Sequence, residues 1–358
     1  MSLADRLKRD IAAGGPLTVA DFMRRCLHDP QDGYYATRPA LGADGDFITA
    51  PLVSQMFGEL LGLWVAETWL RLGRPEGVRF VEMGPGDGTL MDDALRAARL
   101  AKGFLEGAEV VLVETSEPLA ARQRARLEGK APRLRWISRL ADLGPGGPVL
   151  LVANELLDCL PARQFVRTPS GWAERVVGLG ATGELAFGHA PCLAPPGAPD
   201  AAPPGQVWEV SPAQSALGAE LAALVVRDGG AALLIDYGRD RPEPGDTLQA
   251  LEAHRKVDPL DRPGEADLTV WADFPSVLQA ARESGAAVTP ILSQGRFLAR
   301  LGVVERAQAL ARARPDLAQV VGRQLARLTD PDQMGSLFKA CAIGAPNGPP
   351  LPGFEETP

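Results

Sequence analysis

The densest chemical signal in the 358-residue chain is a run of nine residues, Glu82-Met83-Gly84-Pro85-Gly86-Asp87-Gly88-Thr89-Leu90. Glycines let a backbone approach a ligand closely, because no Cβ intervenes, and here an acid precedes them. A second acid, Glu114, follows Gly86 by 28 residues. Its carboxylate can accept hydrogen bonds from both hydroxyls of a ribose. The chemistry is that of a nucleoside-bearing ligand. A dinucleotide site would instead read G-x-G-x-x-G, with its acid about 20 residues further on. A diphosphate also needs bare amides at the helix start, and here Asp87, Asp92 and Asp93 crowd it. Such acids suit a cation like S-adenosylmethionine, whose sulfonium and amino group are positive. The pattern favours that cofactor over a nicotinamide dinucleotide.

A second constellation is Ala153-Asn154-Glu155-Leu156-Leu157-Asp158-Cys159-Leu160-Pro161. Glu155 and Asp158, three residues apart, would share one face of a helical turn. Methyl transfer is an in-line displacement, in which an enzyme positions the acceptor and steadies charge. A carboxylate pair would orient a cationic guanidinium and help its nitrogen shed a proton. The plainer alternative is an Asn-Glu pair capping a helix beside a solvated Asp.

Both constellations need elements to hold them. Short apolar runs at Val78–Met83, Val110–Val113, Leu134–Ile137, Val149–Ala153, Ala231–Ile235 and Leu337–Ile343 read as buried strands. Helical patterns lie between them, with Leu90, Ala94, Leu95 and Ala98 on one side of the first. Apolar strands alternating with helices imply a doubly wound α/β fold with a mostly parallel, Rossmann-like sheet. Its carboxyl edge, where such proteins bind ligands, would carry both constellations.

Upstream, Leu3, Leu7 and Ile11 share a helical face, Thr18 and Asp21 resemble a capping box, and Ser54 starts a helix running to about Leu72. That helix carries Leu60, Leu61, Trp64 and Trp69, more apolar surface than one stripe needs. It is either a buried core helix or a face shared in a homodimer. Three parts result: a helical and lid segment over 1–75, an α/β domain over 76–344 and a Gly/Pro-rich tail over 345–358, expected to be disordered. The α/β domain carries insertions at about 163–206 and 238–330.

Composition excludes other classes. The net charge of -8 with scattered basic residues argues against nucleic acid. No apolar run approaches the roughly 18 residues of a membrane span. The charged opening Met-Ser-Leu-Ala-Asp-Arg-Leu-Lys-Arg argues against a secretory signal. Cys26, Cys159, Cys192 and Cys341 form no C-x-x-C pair, and no H-E-x-x-H occurs among the three histidines. No metal site is expected, and the thiols read as reduced.

With these motifs assembled, the chain resembles the MidA-like family of complex I assembly-factor protein-arginine methyltransferases. The likeness runs over roughly 1–344. It includes Gly45-Asp46-Phe47-Ile48-Thr49-Ala50-Pro51, Ser54–Glu59, Glu82–Leu90, Val113-Glu114 and Ala153–Asp158. It continues through Glu209–Pro212, Ile235-Asp236-Tyr237-Gly238, Gly245–Ala250, Asp258–Leu260, Ala266–Thr269 and Met334–Lys339. The resemblance implies a class I methyltransferase fold with S-adenosyl-L-methionine as cofactor. It implies a methionine-binding loop at Gly84, Pro85, Gly86 and Gly88 and Glu114 as the ribose acid; Glu82, Thr89 and Asn154, beside these motifs, are expected to complete the cofactor set. Gly45–Pro51 would be a lid, with Asp46 and Thr49 as polar contacts. Glu155 and Asp158 would be catalytic. The Asp236–Gly238 turn and the Gly245–Thr269 loop, with His254, would border the acceptor opening. Leu52 departs from the pattern, standing where relatives carry an acid.

The implied reaction is symmetric dimethylation of an arginine on a core subunit of NADH:ubiquinone oxidoreductase. Mitochondrial relatives begin with a targeting peptide, and this chain is expected to be a cytoplasmic bacterial version without one. The alternatives are a methyltransferase of another protein or small molecule, or an assembly chaperone that binds the cofactor with little turnover.

Overall fold

The computed structural model describes residues 1–37, 49–252 and 255–355. Two capped helices open it: α1 (Leu3–Gly14), with Ser2 and Asp5 in a reciprocal capping box, and α2 (Val19–His28), capped by Thr18. A short α3 (Ala50–Val53) leads into α4 (Gln55–Arg71), where the Ser54 hydroxyl accepts from the Met56 amide. The alternating segment then begins with β1 (Arg79–Met83), α5 (Thr89–Ala98), β2 (Glu109–Val113), α6 (Glu117–Leu127), β3 (Leu134–Ile137) and β4 (Val149–Asn154).

An antiparallel excursion follows, made of β5 (Arg163–Thr168), β6 (Gly171–Leu179), β7 (Leu185–Pro191) and β8 (Val207–Val210). Leu17–Thr18 adds a short strand to its edge, against Val176 and Val177. The chain returns through α7 (Pro212–Asp228) to β9 (Gly230–Arg239). A small three-stranded sheet comes next, β10 (Gln249–Glu252), β11 (Arg255–Val257) and β12 (Asp267–Thr269), and then α8 (Phe274–Glu283). Three helices, α9 (Gln294–Arg300), α10 (Val303–Ala313) and α11 (Ala318–Thr329), precede β13 (Phe338–Gly344).

The central sheet runs β3-β2-β1-β4-β9-β13, parallel except for β13, which is antiparallel to β9. Side chains alternate across a strand. Phe80, Val110, Leu112, Leu150, Val152 and Leu233 face one layer, with α4 and α5. Val81, Val111, Leu151, Ala153, Ala232 and Leu234 face the other, with α7 and α8. Both faces are covered, so the strands read as nearly continuous apolar runs.

One expectation is narrowed and others are corrected. Leu60, Leu61, Trp64 and Trp69 are all buried within the chain's own core, so of the two readings of α4 these residues fit the buried core helix. Segment 1–75 is divided between two cores. Helices α1 and α2 pack with Val177, Ala250 and Leu268 in a separate cluster, whereas α4 belongs to the central layer. The expected disordered tail is ordered through residue 355. Trp64 Nε1 donates to the Pro352 carbonyl at 3.1 Å, Phe354 is buried, and Phe297 stacks on it with ring centroids 5.0 Å apart. Prolines and glycines there serve a fixed path over apolar surface. Among the described residues no helix is long and apolar enough to cross a membrane, and all four cysteines are free thiols.

Candidate active site

The strand order reverses between β1 and β4: from β1 the chain proceeds to β2 and β3 on one side, then crosses to β4 on the other. Such a switch point opens a crevice at the carboxyl edge. Register fixes what lies there. Met83 pairs with both Val113 and Ala153, and Asn154 pairs with Ile235. Glu82, Gly84, Glu114, Asn154, Glu155 and Asp236 are therefore brought to one edge.

The glycine loop turns on left-handed residues, with φ of 69° at Gly84, 55° at Gly86 and 83° at Gly88, the N-cap of α5. A Cβ at Gly84 would also stand 3.1 Å from Leu156 Cδ1. Glu82 is buried beneath the loop, and its Oε2 has no hydrogen-bond partner. Burial, then the charges of Asp87 and Glu114, push its carboxyl well above the usual range. The acids at the helix start are all paired. Asp87 pairs with Arg126 and caps the Thr89 amide, Asp92 pairs with Lys130 and Asp93 with Arg96. Each is met by a cation, yet Asp87 lines the cleft and its charge is still felt by Glu82.

Glu114 follows β2, half-buried, and burial raises its carboxyl despite hydrogen bonds from Ser116, Gln123 and Thr115. One oxygen accepts from the Ser116 amide at 2.7 Å and the other from Gln123 Nε2 at 2.9 Å. Gln123 also donates to the Gly86 carbonyl at 2.8 Å and accepts from Trp136 Nε1 at 2.9 Å. Sequence reasoning passes over Gln123, since a lone amide in a charged helix carries no signal of its own.

The second constellation is placed differently from its expected helical turn. Residues 155–160 form an irregular turn, and Glu155 takes a left-handed φ of 51°. Half-buried, it accepts from the Ala50 amide and from Asn154 Nδ2, each at 3.1 Å. Burial, reinforced by Asp158, raises its carboxyl to about 7. Asp158 is buried rather than solvated, and its carboxyl rises to about 6, held back by the neighbouring Tyr237 hydroxyl. The Asp236–Gly238 turn is instead the interior of β9. There Asp236, fully buried, accepts from the amides of Leu157, Asp158 and Tyr237 at 2.8, 3.2 and 2.8 Å. Its carboxyl is pushed up by burial and by Asp158 and Glu155.

Helix α3 roofs this edge. Thr49, Leu52, Glu82, Gly84, Asn154 and Glu155 line a narrow cleft with about 60 Å³ free. Gly88, Thr89, Glu114 and Asp158 lie outside its lining. Asp46 and His254 fall outside the described residues. A wider groove of about 640 Å³ beside α8, lined by Arg241, Gln279 and Glu283, contains none of the candidate groups. Among the described residues no cluster of His, Cys, Asp or Glu is arranged to hold a metal.

A family model described as "Putative S-adenosyl-L-methionine-dependent methyltransferase" matches residues 60–292. The chain belongs to this methyltransferase family. Among its relatives is "Protein arginine methyltransferase NDUFAF7, mitochondrial" of Danio rerio, 34% identical over 96% of this chain and 86% of its own length. The Homo sapiens protein of that name is also 34% identical, over 93% and 81%. A crystal structure from Burkholderia thailandensis, bound to S-adenosyl-homocysteine, superposes with a TM-score of 0.87 at 30% identity, over 99% of this chain and 94% of that one. The chain is an S-adenosyl-L-methionine-dependent methyltransferase with the class I fold.

The cleft suits this cofactor. Glu82 Oε2 and Asn154 Oδ1 are buried acceptors without donors. Unpaired buried acceptors are costly, and the amino group of the cofactor's methionine would supply the missing donors.

Proposed function

We propose that the chain transfers a methyl group from S-adenosyl-L-methionine to an arginine side chain of a protein. The observation that carries this is Glu155. A non-glycine residue at positive φ costs about 1–3 kcal/mol, and a carboxyl raised to about 7 disfavours its own charged form. Strain and a perturbed acid at one residue, on the wall of the cofactor cleft, are the marks of a working group. The acceptor reading is supported by the printed activity of relatives that match nearly the whole chain.

Bound S-adenosyl-L-methionine supplies an electrophilic methyl group. Glu82 and Asn154 would hold its amino end, Glu114 its ribose, and Gly84, Pro85, Gly86, Gly88 and Thr89 the loop around them, with Thr49 at the roof. Glu155, ionised, accepts a guanidinium N–H and directs that nitrogen's electron pair toward the methyl group. Nitrogen then gains the carbon as the sulfur–carbon bond breaks, and the surplus proton passes to Glu155. Asp158 acts on it through its charge and keeps the acceptor pocket negative.

The acceptor protein we propose is a core subunit of NADH:ubiquinone oxidoreductase, methylated to symmetric dimethylarginine in the bacterial cytoplasm. The test is incubation of that subunit with labelled cofactor, followed by mass spectrometry of its arginines. Label on arginine, absent with Glu155→Gln although that variant still binds S-adenosylhomocysteine, supports the reading. Label on another residue type, or none with a folded and cofactor-loaded protein, refutes it.

A further inference from the structure

We infer that Gln123 is a positioning residue for cofactor binding, presetting the Glu114 carboxylate and the glycine loop relative to each other. The inference rests on the reading of Glu114 as the ribose acid. Gln123 is completely buried on α6, and its amide is used in full. One Nε2 hydrogen goes to the Gly86 carbonyl, the other to Glu114 Oε2, and Oε1 takes the Trp136 indole N–H. The amide thus joins the loop after β1 to the acid after β2, and Trp136 on β3 orients it.

No other side chain satisfies all three partners. Leucine would strand a carbonyl, a carboxylate and an indole N–H. Glutamate would accept from Trp136 but, ionised, would face both Glu114 and the Gly86 carbonyl with like charge. The Ser116 amide holds the other Glu114 oxygen, so the carboxylate is fixed at both ends. A carboxylate oxygen accepts more than one hydrogen bond, so each can also accept from a hydroxyl of a diol. Preset acceptors need no reordering when the ribose arrives, which is where preorganisation gains affinity.

A residue that only anchored α6 would change stability without changing which ligand is preferred. The discriminating readout is therefore a ratio, the affinity for S-adenosylhomocysteine over that for its 2′-deoxy analogue, measured by calorimetry. Hydrogen bonds to charged groups imply a ratio of about tenfold or more in the unmodified protein. Gln123→Leu should bring it to within about threefold of unity, as should Glu114→Gln. A folded Gln123→Leu that keeps the original ratio overturns the inference. A Glu114→Gln that keeps it removes the ribose reading of Glu114, and the inference with it.

Should Gln123→Leu fail to fold, Gln123→Glu provides the second test, because it preserves volume and the Trp136 contact. Its affinity for S-adenosylhomocysteine should fall about tenfold or more between pH 5.5 and 8.5, beyond any change in the unmodified protein, as two facing carboxylates become charged. Superimposable pH profiles overturn the inference.

Discussion

Replacing Glu155 with Gln should make the protein more stable at alkaline pH while abolishing methyl transfer. In the folded chain this carboxyl titrates at about 7, against an ordinary value of 4.5. Between those values the folded state binds more protons than the unfolded state, so stability is full below pH 4.5 and falls as pH rises through 7. A separation of about 2.5 pH units, at about 1.36 kcal/mol each, corresponds to about 3 kcal/mol. One face of the side chain meets the cleft, and solvent there reduces the expectation to about 1–3 kcal/mol. The substituted glutamine would keep an oxygen for the Ala50 amide, and it would remove the charge that opposes Asp158. Urea unfolding of both proteins at pH 4.5, 6, 7 and 8.5 measures the effect. The two curves should nearly coincide at pH 4.5, separate progressively between 4.5 and 7 with the variant higher, and run parallel above 7. Parallel curves across the whole range would refute the reasoning.

Three further expectations follow from packing. A Cβ on Gly62 would lie 2.2 Å from the Ala94 carbonyl oxygen, so Gly62→Ala should force α4 from α5 and lower unfolding free energy by about 1–3 kcal/mol or more in urea titration. Glu209, buried against Arg239 at 2.7 Å and holding Thr247 by two further bonds, joins the antiparallel sheet to the end of β9. Glu209→Leu strands a buried guanidinium and should cost about 3–5 kcal/mol by the same titration. Phe354→Ala should cost about 3–5 kcal/mol, and an unchanged thermal midpoint would show that the tail contributes nothing to the core.

The sheet is legible in the sequence because buried parallel strands are short apolar blocks, as at Val149–Asn154, and their burial on two faces leaves no competing pattern. The glycine loop is legible for a similar reason: left-handed backbone at Gly84, Gly86 and Gly88 restricts residue type. Glu155 and Asp158 stand out as a pair, but their spacing misleads about geometry. A local i, i+3 rule says nothing about a turn held from outside, here by Asp236 some 78 residues away. Asp236 binds the amides of Leu157 and Asp158, and Gln123 the Gly86 carbonyl, across long stretches of sequence, and a single chain gives no trace of such pairings. The tail is misjudged from its Pro/Gly content, which describes local stiffness, whereas Trp64 and Phe297 decide whether it finds a surface.

The place of β13 has a consequence for biosynthesis. It is an interior strand, lying between β9 and the short pieces Ala287–Val288 and Leu292–Ser293, yet it comes after every other strand in the chain. On a translating ribosome, β9 therefore emerges with the backbone groups of Ala231–Tyr237 unpaired along a hydrophobic edge. An edge of that kind recruits other chains, and unfinished domains aggregate through such surfaces. Completion of the sheet waits until Phe338–Gly344 is available, so the interval between synthesis of β9 and of β13 is one in which that edge stays open to other chains.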